Sequence, residues 1–105
     1  MTYQEIFNKV KSMTEHLDVS KVKEHIAFQF NITGEGEGAF YIEVKEGQIH
    51  VEPYEYYDRD VLFTCSGEML LKIMSKKADP IVAFTLGKLK VEGNLDKALK
   101  LKEFL

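Results

Sequence analysis

Enzymatic or metal chemistry needs titratable and nucleophilic side chains gathered at one place, so His16, His25, His50, Cys65 and the run Asp58-Arg59-Asp60 are weighed first. The histidines have no ligand spacing such as i, i+4, and His50 falls on the outward phase of an alternating segment. They read as surface residues, and neither metal nor cofactor is expected. Cys65 has no second cysteine to pair with, which excludes a disulfide or a zinc cluster within a monomer. It lies on an inward strand phase and reads as a small core residue, since a reactive thiol wants cationic neighbours or a helix N-terminus. Two acids beside an arginine read as a turn with a surface ion pair. Gly34, Gly36 and Gly38 have the look of a phosphate loop, but Glu35 and Glu37 would repel phosphate and no Lys-Ser/Thr follows. Lys9, Lys11, Lys21 and Lys23 are interleaved with Glu5, Glu15 and Glu24, as on a solvated helix face. No acid–base or nucleophile set converges, and the chain is read as a non-enzyme.

The elements that would position these residues follow from periodicity. Ile6, Phe7, Val10, Met13 and Leu17 recur at helical spacing within Met1–Glu24, with Thr2 and Glu5 as a capping box. The pattern is interrupted near Asp18-Val19-Ser20, which predicts either a break or a second short helix over Lys21–Glu24. From Ile26 the period becomes two: Phe28, Phe30 and Ile32, then Phe40, Ile42 and Val44, then Ile49 and Val51. These predict three antiparallel strands, the last two joined by a tight turn at Glu46-Gly47. Asp60–Ser66 is a fourth strand, with Val61, Phe63 and Cys65 on one face. Ser66 or Gly67 then opens a helix to about Lys76 with Met69, Leu70, Ile73 and Met74 on its apolar stripe. Asp79-Pro80 starts a short helix that Gly87 closes. Lys88–Glu92 is a fifth strand, and Leu95–Leu105 a last helix. The expected class is α+β: a five-stranded mixed sheet with helices on one face.

At 105 residues, 45% hydrophobic and 30% charged, the chain fits one domain over residues 1–105 with a single core. Its apolar runs fall far short of the ~20 residues of a membrane helix. No basic leader precedes an apolar block, so a cytoplasmic location is expected. A formal net charge of −3 argues against nucleic acid as a partner.

The inward phases supply Phe28, Phe30, Phe40, Ile42, Phe63, Leu89 and Val91; the helices add Phe7, Met13, Met69, Met74, Phe84, Leu101 and Phe104. Such material builds an ordinary core. Large aromatics facing flexible methionines also suit a lipid cavity. Periodicity does not separate the two.

The strand Phe28-Gln29-Phe30-Asn31-Ile32, the glycine–acidic loop and the strand Phe40–Val44 resemble the opening of the sterol carrier protein 2 (SCP2) domain family. The string Gly87-Lys88-Leu89-Lys90-Val91-Glu92-Gly93-Asn94, before a helix carrying Ala98 and Leu99, resembles it further. The resemblance runs from about Ile6 to Leu105 and implies a short, stand-alone, prokaryotic-type member. It implies non-enzymatic binding or transfer of a fatty acid, fatty acyl, sterol or isoprenoid-like lipid in an apolar tunnel between sheet and helices. The tunnel would be lined by Phe28, Phe30, Phe40, Phe63, Met69, Ile73, Met74, Phe84 and Leu89, with Leu101, Phe104 and Leu105 near its mouth. The peroxisomal Ser-Lys-Leu-type ending is replaced by Glu103-Phe104-Leu105. The expected partners are a hydrophobic small molecule and, transiently, a membrane, with the chain a monomer or homodimer. The alternatives are a docking or dimerisation module with a filled core, exposing Tyr54, Tyr56 and Tyr57, or an accessory factor for lipid-soluble intermediates.

Overall fold

The computed structural model describes residues 1–104, the Phe104 side chain aside. Phe104 and Leu105, two of the expected mouth residues, thus lie outside the described side chains. Thr2 and Glu5 form the expected reciprocal cap: each accepts the other's amide, at 3.2 and 3.1 Å. The helix they open, α1 (Tyr3–Thr14), buries Ile6, Phe7, Val10 and Thr14. It stops ten residues short of Glu24, and residues 21–24 are not helical. The Asp18 carboxylate accepts the Ser20 amide and hydroxyl at 3.0 and 2.7 Å, a local turn that competes with helix. Val19 turns inward there and is buried.

Five strands form one mixed sheet: β1 (Ile26–Thr33), β2 (Gly38–Lys45), β3 (Gln48–Glu52), β4 (Val61–Ser66) and β5 (Lys90–Gly93), in the order β3-β2-β1-β4-β5. All neighbours are antiparallel except β1 and β4, which run parallel. Glu46 and Gly47 both have positive φ, 53° and 74°, as a two-residue hairpin turn that follows strand twist requires. The segment after Pro53 lies over the outer face of the sheet. Gln29, on the phase expected to be wet, is therefore buried. Its Oε1 accepts the Tyr56 amide at 3.0 Å and its Nε2 donates to Asn31 at 2.9 Å. Tyr56, expected to be exposed with its neighbours, is folded onto that face; Tyr54 and Tyr57 are exposed. Asp60 pairs with Lys97 at 2.9 Å and accepts the Ala27 amide at 2.8 Å. The carboxylate read as part of a surface ion pair in its own loop thus ties β1 and β4 to the last helix.

On the inner face the rings line up across the sheet. Phe40, Phe30 and Phe63 are cross-strand partners on β2, β1 and β4, stacked with centroids 5.3 and 5.2 Å apart. Over them lie α1 and α2 (Gly67–Met74), which contribute Ile6, Phe7, Val10, Leu70, Ile73 and Met74 to the core. Ser66 starts α2 by accepting the Met69 amide at 3.1 Å. The helix ends two residues before Lys76, which takes a positive φ of 64° just beyond it.

Candidate lipid groove

Two short helices frame the remaining end of the sheet: α3 (Pro80–Thr85) and α4 (Leu95–Phe104). In α3, Asp79 caps the N-terminus by accepting the Ile81 amide at 2.7 Å, and Pro80 presets the first turn. At its other end Gly87 has φ 75°; its amide bonds the Phe84 carbonyl and the Lys88 amide the Ala83 carbonyl, at 3.1 and 2.9 Å. This paired closure satisfies carbonyls the helix leaves free and aims the chain into β5. One alanine, Ala83, holds α3 to the core. The larger residues Ile81, Val82, Phe84 and Leu86 are about half exposed or more. In α4, Leu101 is buried, while Leu95 and Leu99 are exposed.

Between α3, α4 and the β4–β5 edge lies an open groove of about 290 Å³, lined by Phe63, Pro80, Ile81, Phe84, Leu89, Val91, Leu95, Ala98, Leu99 and Lys102. Every lining residue except Lys102 is apolar. Leu95, Ala98, Leu99 and Lys102 follow i, i+3, i+4, i+7 spacing and form one stripe of α4. Lys102 pairs with Asp79 at 3.1 Å across the groove's rim. Hydrogen bonding from the Ile81 amide and then the ammonium of Lys102 hold the Asp79 carboxyl below the usual range.

Three of the residues expected to line a cavity, Phe63, Phe84 and Leu89, come together on this wall. Phe28, Phe30 and Phe40 are buried in the packed core to which α1 and α2 contribute, and Ile73 and Met74 are buried on α2 itself. Leu101 is buried on the core side of α4. Met69 is half-buried and lines a separate depression of mixed polarity with Thr33, Cys65 and Lys88. Missing from the expected set were Pro80, Ile81, Val91, Leu95, Ala98, Leu99 and Lys102. The α4 stripe carried a usable signal, its i, i+3, i+4, i+7 spacing.

The polar clusters elsewhere are structural in geometry. Cys65 is a buried free thiol whose pKa burial pushes up to about 11. On the outer face, Glu43 accepts from Tyr56 at 2.7 Å and contacts His25 at 2.6 Å. Among the described residues, no three His, Cys, Asp or Glu side chains gather as a metal set. No described helix is long and apolar enough to cross a membrane.

The pattern shared by SCP-2 sterol transfer domains matches residues 5–105. The chain belongs to the SCP-2 sterol transfer family. This SCP2 chain is 32% identical over 103 residues to sterol carrier protein 2 of Bos taurus, covering 97% of itself and 19% of that protein. It is 31% identical over 103 residues to hydroxysteroid dehydrogenase-like protein 2 of Bos taurus, covering 97% of itself and 24% of that protein. The chain thus spans a quarter or less of these relatives. Among solved structures it resembles palmitated SCP2L2 of Aedes aegypti, at 27% identity and a TM-score of 0.70, over 98% of this chain and 93% of that one. Membership identifies the SCP2 chain with a lipid-transfer family and its α+β fold.

Proposed function

We propose that this SCP2 chain acts as one non-enzymatic domain that binds the hydrocarbon part of a lipid in the groove between β4–β5, α3 and α4, and carries it reversibly. The ligand class is a fatty acid, fatty acyl or sterol- or isoprenoid-like lipid. The supporting observation is the lining, nine apolar side chains and one cation around about 290 Å³. A cavity of about 150 Å³ already takes benzene, so this volume suits a segment of an acyl chain. The 14 or so methylenes of a sixteen-carbon chain would give roughly 11 kcal/mol if all were buried. Association costs about 4–15 kcal/mol. The difference suits reversible carriage. The palmitate held by the mosquito relative supports the same ligand class.

Transient membrane contact belongs to this reading. Val82, Leu86, Leu95 and Leu99 are 54, 63, 61 and 53% exposed around the groove, an apolar patch that marks interaction surfaces. Residues 67–105 hold eight lysines against five acids, and residues 1–66 six cations against twelve acids. The apolar patch therefore lies in the basic part of an acidic chain, matched to an anionic bilayer. A monomer carries lipid in this scheme, and a dimer closed over the patch is the competing outcome. The buried free thiol of Cys65 needs no oxidising compartment, in keeping with a cytoplasmic carrier.

The experiment is displacement of a neutral fluorescent probe by palmitate, together with thermal melts and native mass spectrometry of the purified protein. Displacement, a raised melting temperature at saturating palmitate, and a retained or added lipid mass are expected. No displacement with an unchanged melting temperature would sink the proposal. Light scattering that finds a stable dimer with Leu99 inaccessible would favour docking instead.

A further inference from the structure

We infer that Lys102 makes the groove selective for lipids with an anionic headgroup, the carboxylate of a fatty acid being the simplest, and that Asp79 weakens that preference by competing for the same ammonium. The inference rests on the groove being the lipid site. The lining contains one charged group, at the rim, beside nine apolar residues. A single-chain amphiphile has the same polarity, a long apolar part ending in one polar head. With its tail against Phe84, Leu89 and Leu99, its head emerges at the rim where Lys102 stands.

The ammonium is available for such a contact. The Lys102 side chain is half exposed, and its polar partner is the Asp79 Oδ2 at 3.1 Å. Lysine has three N–H donors, so a second anionic oxygen fits without breaking the first bond. Nor does the fold depend on the Asp79–Lys102 bond for its cap, because the other oxygen, Oδ1, holds the Ile81 amide at 2.7 Å. The carboxylate of Asp79 nevertheless neutralises Lys102 and repels a second carboxylate. A lipid covering the rim excludes water from the pair, which strengthens both the attraction and the repulsion. The two residues thus act in opposite directions on one headgroup.

Laurate and 1-dodecanol share a twelve-carbon chain and differ in charge, so their competition against a neutral naphthylamine probe isolates the head. Wild-type protein is expected to prefer laurate, and Lys102→Met to lower the ratio of laurate to dodecanol affinity about fivefold, the scale of a half-exposed ion pair. Lys102→Arg should restore the preference. Asp79→Asn, which keeps a capping oxygen, should tighten laurate and leave dodecanol alone. High salt should reduce the preference, since the half-exposed ammonium is partly screened. Equal loss of both ligands in Lys102→Met, with an unchanged melting temperature, would mean that the lysine stem packs the wall, and the selectivity is overturned. Equal binding of both ligands by the wild type overturns it too, with the groove reading intact. Binding of neither ligand by wild-type protein removes the lipid site itself, and the inference with it.

Discussion

Phe63 stacks on Phe30 with ring centroids 5.2 Å apart and planes 17° from parallel, while also forming part of the groove wall. One ring therefore belongs both to the packed core and to the open site. Phe63 is 2% exposed, so Phe63→Ala should destabilise the fold by about 3–5 kcal/mol, the usual range for truncating a core aromatic. Urea denaturation measures it. A loss under 1 kcal/mol would mean that neighbouring side chains collapse into the space.

Phe84 is the contrasting case. It is 51% exposed on a helix anchored by Ala83, so Phe84→Asp should change stability by no more than about 1 kcal/mol. It should abolish probe displacement by palmitate, because a carboxylate would stand where the chain lies. Normal affinity in the folded variant removes Phe84 from the site.

The string from Gly87 to Gly93 contains two glycines held for different reasons. A Cβ on Gly93 would sit 2.4 Å from the Asp60 carbonyl oxygen, with φ at 109°. That oxygen also accepts the Asn94 amide at 2.9 Å and has little freedom to move. Gly87 has φ 75° and open space around it. Gly93→Ala should therefore cost about 1–3 kcal/mol or more, and Gly87→Ala only about 1 kcal/mol for its left-handed backbone. Thermal melts that rank the pair the other way would overturn this account.

Lys76 occupies a left-handed position, φ 64°, that usually belongs to glycine. The closing bonds are already in place: the Lys77 amide to the Lys72 carbonyl at 2.8 Å, and the Lys76 amide to Ile73 at 3.1 Å. The side chain is exposed. Lys76→Gly should raise stability by about 0.5–1 kcal/mol, the relief of the Cβ less the added freedom of the unfolded chain. A lowered melting temperature is the contrary result.

Two pH limbs meet at Tyr56 and Glu43. Burial would raise the Glu43 carboxyl, but hydrogen bonds from Tyr56 and His25 outweigh it and hold the group below the ordinary range. Asp60 is likewise lowered, burial being outweighed by Lys97 and the Ala27 amide. A carboxyl depressed by folding contributes stability above its unfolded pKa and loses it as pH falls through the folded value. Tyr56 is opposite: its bond to Glu43 and its burial push the phenol from 10.0 to about 12. Its contribution is present below 10.0 and is lost as pH rises towards about 12. Tyr56→Phe should flatten the alkaline limb of melting temperature against pH and soften the acid one. An unchanged alkaline slope would assign it to another group.

Much of the framework was legible in the chain. Thr2/Glu5, Ser66 and Asp79-Pro80 are local signals, satisfied within a few residues of themselves, and each starts the helix it announces. The period-two segments fixed which side chains point inward, and the glycine–lysine string pointed to the family that residues 5–105 match. The break expected near Asp18-Val19-Ser20 has a local cause, the Asp18 turn, while the second short helix over residues 21–24 does not form.

The position of the groove belongs to tertiary structure. Phe40, Phe30, Phe63 and Val91 share one inward phase and pair successively across β2, β1, β4 and β5. Alternation specifies a face but not a place along it, so these residues look alike in sequence. Which of them meets solid packing depends on the parallel β1–β4 pairing and on where each helix lands. The larger apolar residues of α1 and α2 fill the space over the sheet centre, whereas α3 is anchored by a single buried alanine and stands off the β4–β5 edge. Burial is a collective property of elements distant in the chain, and no periodicity within one element records it.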